Sequence, residues 1–281
     1  MMKTLRILCD PDTRLNPQDR LSIVPVYAVK GFSTAGVKEL SPDSFISDPY
    51  GLFVNRLFHE EELSLLKQFL KSPLVLQAET ISFADPAVLS FADRSLRERL
   101  IYRPETLMTN AADARFWLSA GIHAVSISPV LTEEETLDLI RNVHPSEVMI
   151  HGHLLLSVSA RRLISAWLEK YGMDTDIASS RNLFIEEVSR SEKLPIMEAP
   201  YGTMIYSDTC MCCFERISEF ADNGAENFFM NGAFLSPQDI NEAASIYAGL
   251  LSGSDVANLA EAYRKKRPYC SEGFYDRSTI L

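Results

Sequence analysis

A small set of side chains holds most of the chemistry this sequence offers. His151-Gly152-His153 closes a run of strand-forming residues, EVMI. A near-neutral imidazole at His151 suits general base catalysis or a hydrogen bond to a substrate carbonyl. Glu105 and Asp85 end the apolar runs LIYRPE and TISFAD. Either carboxylate could do acid–base work or grip a cation, and either could equally cap a helix or pair with Arg103. Asn55, Asn110 and Asn231 are uncharged donors and acceptors, suited to orienting a polar ligand or to capping a turn. Tyr201, in the stretch Tyr201-Gly202-Thr203, falls on a hairpin that could form a lid or a partner-binding edge. The expected catalytic residues are therefore His151, Glu105 and Asp85, and the expected substrate-binding residues are Asn55, Asn110, Tyr201 and Asn231. His153 and His59 read as surface or cap residues, and no HExxH or similar spacing supports a metal.

Positioning these groups falls to short Val-, Ile- and Phe-rich runs alternating with stretches of helical period, the sign of repeated β-α units around a parallel sheet. The strand candidates are LRILCD, SIVPVYAV, YGLFVN, TISFAD, LIYRPE, HAVSIS, EVMIHG and NFFMNG. Eight such runs suggest a TIM-type (β/α)8 barrel, whose active face lies at the strand C-termini. A doubly wound open sheet is the alternative, since the first two units have weak helices. The helix after YGLFVN carries acids first and lysines last, matching its dipole, and Thr132 with Glu135 reads as a capping box. After His153 a helix should follow at once. NLFIEEVSR and KLPIMEAPYGTMIYSD read as an inserted β-hairpin over 181–208, turning at Ser191-Glu192, before the last barrel strand. CCFERISEFADNG reads as helix. The chain is taken as one barrel domain, 1–281, with a tail over 265–281.

With 281 residues, 46% of them hydrophobic and 23% charged, the chain can bury a full core. The start MMKTLRILCDP lacks the features of a signal peptide, and no apolar run approaches a membrane span, so a cytoplasmic protein with no membrane contact is expected. The net charge of −11 gives an average surface that repels phosphate. Nucleic acid must then meet a local basic patch or the surface of a partner. The five cysteines, Cys9, Cys210, Cys212, Cys213 and Cys270, are odd in number and read as reduced thiols, with Cys210, Cys212 and Cys213 on a helix face.

FVNRLFHEEEL, ISFADPAVL, LIYRPETLMTNAADARFW with GIHAVSIS, LTEEETLDLI, EVMIHGHLLLSVSARRLIS and PIMEAPYGTMIYSD stand in one order from about Asn55 to Gly232. As an ordered set they resemble the collagenase-like peptidases of family U32. The resemblance implies a barrel with an inserted hairpin and a bacterial protein. It also implies either peptide hydrolysis or a subunit role in oxygen-independent hydroxylation, of a transfer-RNA uridine or of ubiquinone precursors, often by pairs of dissimilar family members of which several hold an iron–sulfur cluster. The family's cluster cysteines correspond to Leu155, Arg162 and Cys210, so two of three thiolates are missing here. Relatives also carry Lys-Ile-Glu-Gly-Arg where this chain has Phe229-Met230-Asn231-Gly232-Ala233, and Arg and Glu where it has Ser128 and Pro129. The expectation is a cluster-free subunit with no cofactor of its own, paired with a cysteine-bearing member of the same family and reaching transfer RNA through that partner. A peptidase, or a non-catalytic barrel scaffold, is the alternative. No nucleophile elbow, Ser-x-x-Lys or papain-like cysteine signature supports hydrolysis.

Overall fold

The computed structural model describes residues 3–186, 188 and 192–275. In chain order its first strands are β1 (Lys3–Leu8), β2 (Leu21–Val29), the two-residue β3 (Glu39–Leu40), β4 (Gly51–Val54), β5 (Thr80–Phe83), β6 (Leu100–Tyr102) and β7 (Ala124–Ile127). Then come β8 (Ser146–Ser159), β9 (Leu183–Glu186), β10 (Lys193–Ala199), β11 (Gly202–Cys212), β12 (Asn227–Asn231) and β13 (Cys270–Ser271). Strands β1, β2, β4, β5, β6, β7, β8 and β12 pair in parallel, and β12 returns to β1, closing an eight-stranded TIM-type barrel. Strands buried on both faces read as unbroken apolar runs, as GLFV, TISF and AVSI do, each with all four residues buried. Helices cover the barrel from β4 onward, including Leu63–Phe69, Ala111–Ser119, Glu133–Asn142 and Pro237–Leu251. The Glu133–Asn142 helix begins on the Thr132–Glu135 capping box. The crossovers after β1 and β2 contain no helix.

The barrel interior is charged at its base. Glu147, fully buried on β8, takes Arg103 on one oxygen and Arg6, at 3.2 Å, on the other. Arg103 also donates to Ser126 Oγ at 3.0 Å, and its guanidinium carbon lies 3.5 Å from the centre of the Phe229 ring. Phe229 in turn stacks on Phe53 across the barrel, 6.2 Å between centroids. A pair of arginines on one carboxylate can remain out of water because the hydrogen bonds and the ring face replace part of the lost hydration.

Two features of the β8 region differ from the sequence expectation. The strand does not stop at His151 but runs on to Ser159, where its outer half pairs antiparallel with β11 from Cys212 opposite His151 to Thr203 opposite Ser159. Gly152 serves this passage. At φ +112° a side chain there would put its Cβ 2.1 Å from the Asn231 carbonyl oxygen, so glycine lets β8 pass close to the backbone of β12. The helix follows only at Leu163–Lys170, and its first turn is capped from β10, where Glu198 accepts from the N–H groups of Ile164 (2.8 Å) and Ser165 (3.0 Å).

The second difference is the extent of the insertion. Strands β9, β10 and β11 form an antiparallel sheet with the outer half of β8, and β11 reaches beyond 208 to Cys212. The β10–β11 turn is at Pro200-Tyr201; Ser191, in the expected turn, lies outside the described residues. Cys210 and Cys212 are accordingly strand residues, and the helix that CCFERISEFADNG announces begins at Ile217. In the expected tail, Lys265 and Lys266 end the helix Ala257–Lys266, β13 pairs with β11, and residues 276–281 lie outside the described set. No helix among the described residues is long and apolar enough to cross a membrane.

Candidate functional site

At the C-terminal mouth of the barrel, the ends of β4, β5 and β6 and the outer half of β8 enclose a cavity of about 310 Å³. Asn55, Glu105 and Tyr201 line it, with Arg56, Leu155 and Ser157 among their neighbours. Asn55, directly after β4, accepts from the Thr34 N–H (2.8 Å) and donates to the Thr34 carbonyl (3.0 Å). It thus holds the β2–β4 crossover across the mouth. Tyr201 sits in the β10–β11 turn with the Arg56 guanidinium carbon 4.2 Å from its ring centre. Arg56 is itself fixed by the Gly31 carbonyl at 2.7 Å and by Glu62.

Glu105 and Thr34 each bring to the cavity lining a buried side-chain oxygen with no hydrogen-bond partner among the described residues. Glu105 is left-handed at φ +56°, a conformation that costs a non-glycine residue free energy and recurs at functional sites. Its Oε1 is shielded from solvent and has no hydrogen-bond partner among the described residues. Burial pushes the carboxyl up to about 7, against the Arg103 guanidinium and the Asn55 side chain, which pull it down. Near neutral pH, Glu105 therefore offers a carboxylic acid that can give or take a proton.

The other expected residues are placed elsewhere. His151 is wholly buried between the Tyr247 and Tyr263 hydroxyls, 3.1 Å from Nδ1 and Nε2 respectively, and burial pushes its imidazole down to about 4. It lies outside the cavity because β8 continues past it. His153 is not a surface residue: it is buried, and its Nδ1–H donates to the Ser207 carbonyl at 2.8 Å. Asn231 donates to the His153 carbonyl (2.9 Å) and accepts from the Ala233 N–H (3.1 Å), joining β12 to β8. Asn110 caps the helix Ala111–Ser119 through the Asp113 N–H at 3.0 Å. Asp85 caps Pro86–Phe91 through the Ala87 N–H and also accepts from the Phe58 N–H, both at 2.8 Å. Asp85→Ala is expected to lower stability by about 1–2 kcal/mol with the cavity intact, read as a thermal shift.

Sequence reasoning passed over Arg56 and the β8 wall of the cavity. Arg56 directly follows Asn55 at a strand end, a placement that carried the signal; the wall was hidden because HLLLSVS was read as leading into a helix. Two of the positions that the family resemblance gives to cluster cysteines, Leu155 and Arg162, hold no thiolate here. Leu155 is a buried apolar wall residue, and Arg162 pairs with Glu198 at 3.2 Å.

Comparison with known proteins gives one family, described as peptidase family U32, matched over residues 50–277. The chain is 27% identical over 199 residues to "tRNA hydroxylation protein P2" of Bacillus subtilis (strain 168), covering 69% of this chain and 64% of that protein. It is 27% identical over 121 residues to "tRNA hydroxylation protein P" of Escherichia coli (strain K12), covering 42% of this chain and 26% of that protein. The matches thus span less than two thirds of either relative's length. No solved structure matches.

Proposed function

The chain belongs to peptidase family U32, and from that premise we propose that it is a subunit of an oxygen-independent system hydroxylating uridine in transfer RNA. Its partner is a cysteine-bearing member of the same family that carries the redox cluster, and transfer RNA is held largely by that partner. Two relatives named for transfer-RNA hydroxylation support the reaction class. The observation that carries the reading to this chain's own residues is Glu105, whose buried Oε1 has no hydrogen-bond partner among the described residues, beside a cavity with an aromatic edge. A protonated carboxyl donates a hydrogen bond to a carbonyl oxygen, which the edge of a uracil ring presents, and Tyr201 offers the ring a stacking surface. The formal net charge of −11 fits a subunit that leaves most phosphate contacts to its partner.

Peptide hydrolysis is less supported. His151, its obvious base, stands outside the cavity with both ring nitrogens engaged by tyrosines. A decayed scaffold has no use for a strained, desolvated acid in an open mouth.

The test is nucleoside mass spectrometry of transfer RNA from cells lacking this protein, complemented with wild-type or variant chains. Wild type restores hydroxylated uridine, and Tyr201→Ala restores roughly tenfold less, the loss of about one stacking contact. Unchanged hydroxylation in the deletion strain would remove the reading. Affinity purification of the tagged chain should bring down the cysteine-bearing relative.

A further inference from the structure

A second cluster of reactive side chains lies away from the cavity, where β8, β11 and β13 meet the two C-terminal helices. Cys210 and Cys212 stand two residues apart on β11 and so share one face. Antiparallel pairing sets His151 opposite Cys212, and parallel pairing sets Cys270 opposite Cys210. The ligating atoms of His151, Cys210 and Cys212 lie within 4.8 Å of one another, with Cys212 Sγ 3.9 Å from His151 Nε2. Cys270, the register partner of Cys210 across β11 and β13, stands beside this group as the fourth donor.

The surroundings fix the imidazole in the form a metal needs. Tyr247 donates its hydroxyl proton to the Ile150 carbonyl at 2.7 Å and accepts from the Cys213 N–H at 3.1 Å. Its remaining lone pair accepts from His151 Nδ1–H at 3.1 Å. Nε2 is therefore left as a lone pair, directed at the thiols and at the Tyr263 hydroxyl. An imidazole ligand held by a hydrogen bond on its other nitrogen is the usual arrangement around a bound ion.

We propose that His151, Cys210, Cys212 and Cys270 bind one zinc(II) ion in a closed tetrahedral site that ties the C-terminal segment to the barrel. Three thiols and one imidazole are the donor set of a structural zinc site. Zinc–sulfur bonds of about 2.3 Å place two sulfurs on one tetrahedral ion about 3.8 Å apart, so the observed span suits a single ion rather than a multinuclear cluster. Binding releases three thiol protons to solvent and moves no electrons; Tyr263 gives up its hydrogen bond to Nε2. The resulting site carries one net negative charge. Arg264, which donates to the Cys212 carbonyl at 2.8 Å, lies beside it.

The full chain, purified without added metal, is expected to contain one zinc per molecule by elemental analysis. After chelation under reductant, titration with cobalt(II) should give the thiolate charge-transfer and tetrahedral ligand-field bands, saturating at one equivalent. Cys212→Ser and Cys270→Ser should each weaken cobalt binding at least 100-fold, whereas Cys9→Ser, outside the cluster, should bind as wild type. A reduced wild-type chain that gives no charge-transfer band would overturn the proposal, as would a Cys270→Ser chain that binds normally or a metal-free chain with a Cys210–Cys270 disulfide. None of these outcomes depends on transfer-RNA hydroxylation.

Discussion

Glu147→Ala lowers the stability of the protein by about 3–5 kcal/mol, because it strands two buried guanidiniums inside the barrel. Arg6 and Arg103 are 6% and 3% exposed, so neither can turn to water for compensation without opening the strands. At roughly 2–4 °C per kcal/mol for a domain of this size, the midpoint of thermal unfolding falls by about 6–20 °C. Glu147→Gln keeps the shape and one set of hydrogen bonds but not the charge, and should fall between the two. Adding Arg103→Met to Glu147→Ala should recover part of the loss, since the charge left unpaired is then removed together with its partner. Calorimetry of wild type, the two Glu147 variants, Arg103→Met and the double variant checks this, and additive losses in the double variant would refute the coupling.

Glu105→Gln is expected to act in opposite directions on stability and on function. The folded carboxyl titrates near 7, above its ordinary value of 4.5, so folding takes up a proton between those values. Stability associated with this group is intact below the unfolded value and declines as pH rises through the folded one. Glutamine has no proton to lose. The variant should therefore match wild type near pH 5 and exceed it by about 2–3 kcal/mol near pH 8, where the wild-type chain must hold a desolvated carboxylate. On the proposed function, hydroxylated uridine in complemented cells should meanwhile fall by about tenfold, since the amide replaces the acid O–H donor with an N–H of different direction. An equal stability gain at both pH values would mean that the carboxyl titrates normally.

The barrel could be read from the sequence because each buried strand shows an apolar run and each covering helix a 3.6-residue period. Part of the candidate site could be read too. Asn55 and Glu105 end consecutive units of the repeat, and Tyr201 sits on the inserted turn, so barrel geometry brings them to one mouth. Asp85 and Asn110 were ambiguous for a chemical reason: the oxygen atoms that suit catalysis or ligand binding also suit a helix N-terminus, and local sequence does not separate the two uses. His151 was misplaced because an apolar run with a glycine in it fits a strand end and a strand crossing equally well. The cysteine cluster could not be read from spacing. Cys270 meets Cys210 only through a pairing between residues 60 positions apart, and the intervening helices give no sign of it.

The 14-residue β8 has a further implication for how this protein can change. One continuous strand contributes Glu147 to the barrel interior, His151 to the buried cluster and Leu155 with Ser157 to the cavity wall. Its pairing with β12 is interrupted between Phe229 and Met230, and its pairing with β11 at Ile205/Tyr206 and Tyr206/Cys210. Each irregularity re-aims the side chains that follow it, which lets a single strand serve three surroundings. A swapped extension grafted onto a related barrel should therefore work only when its junction keeps those bulges.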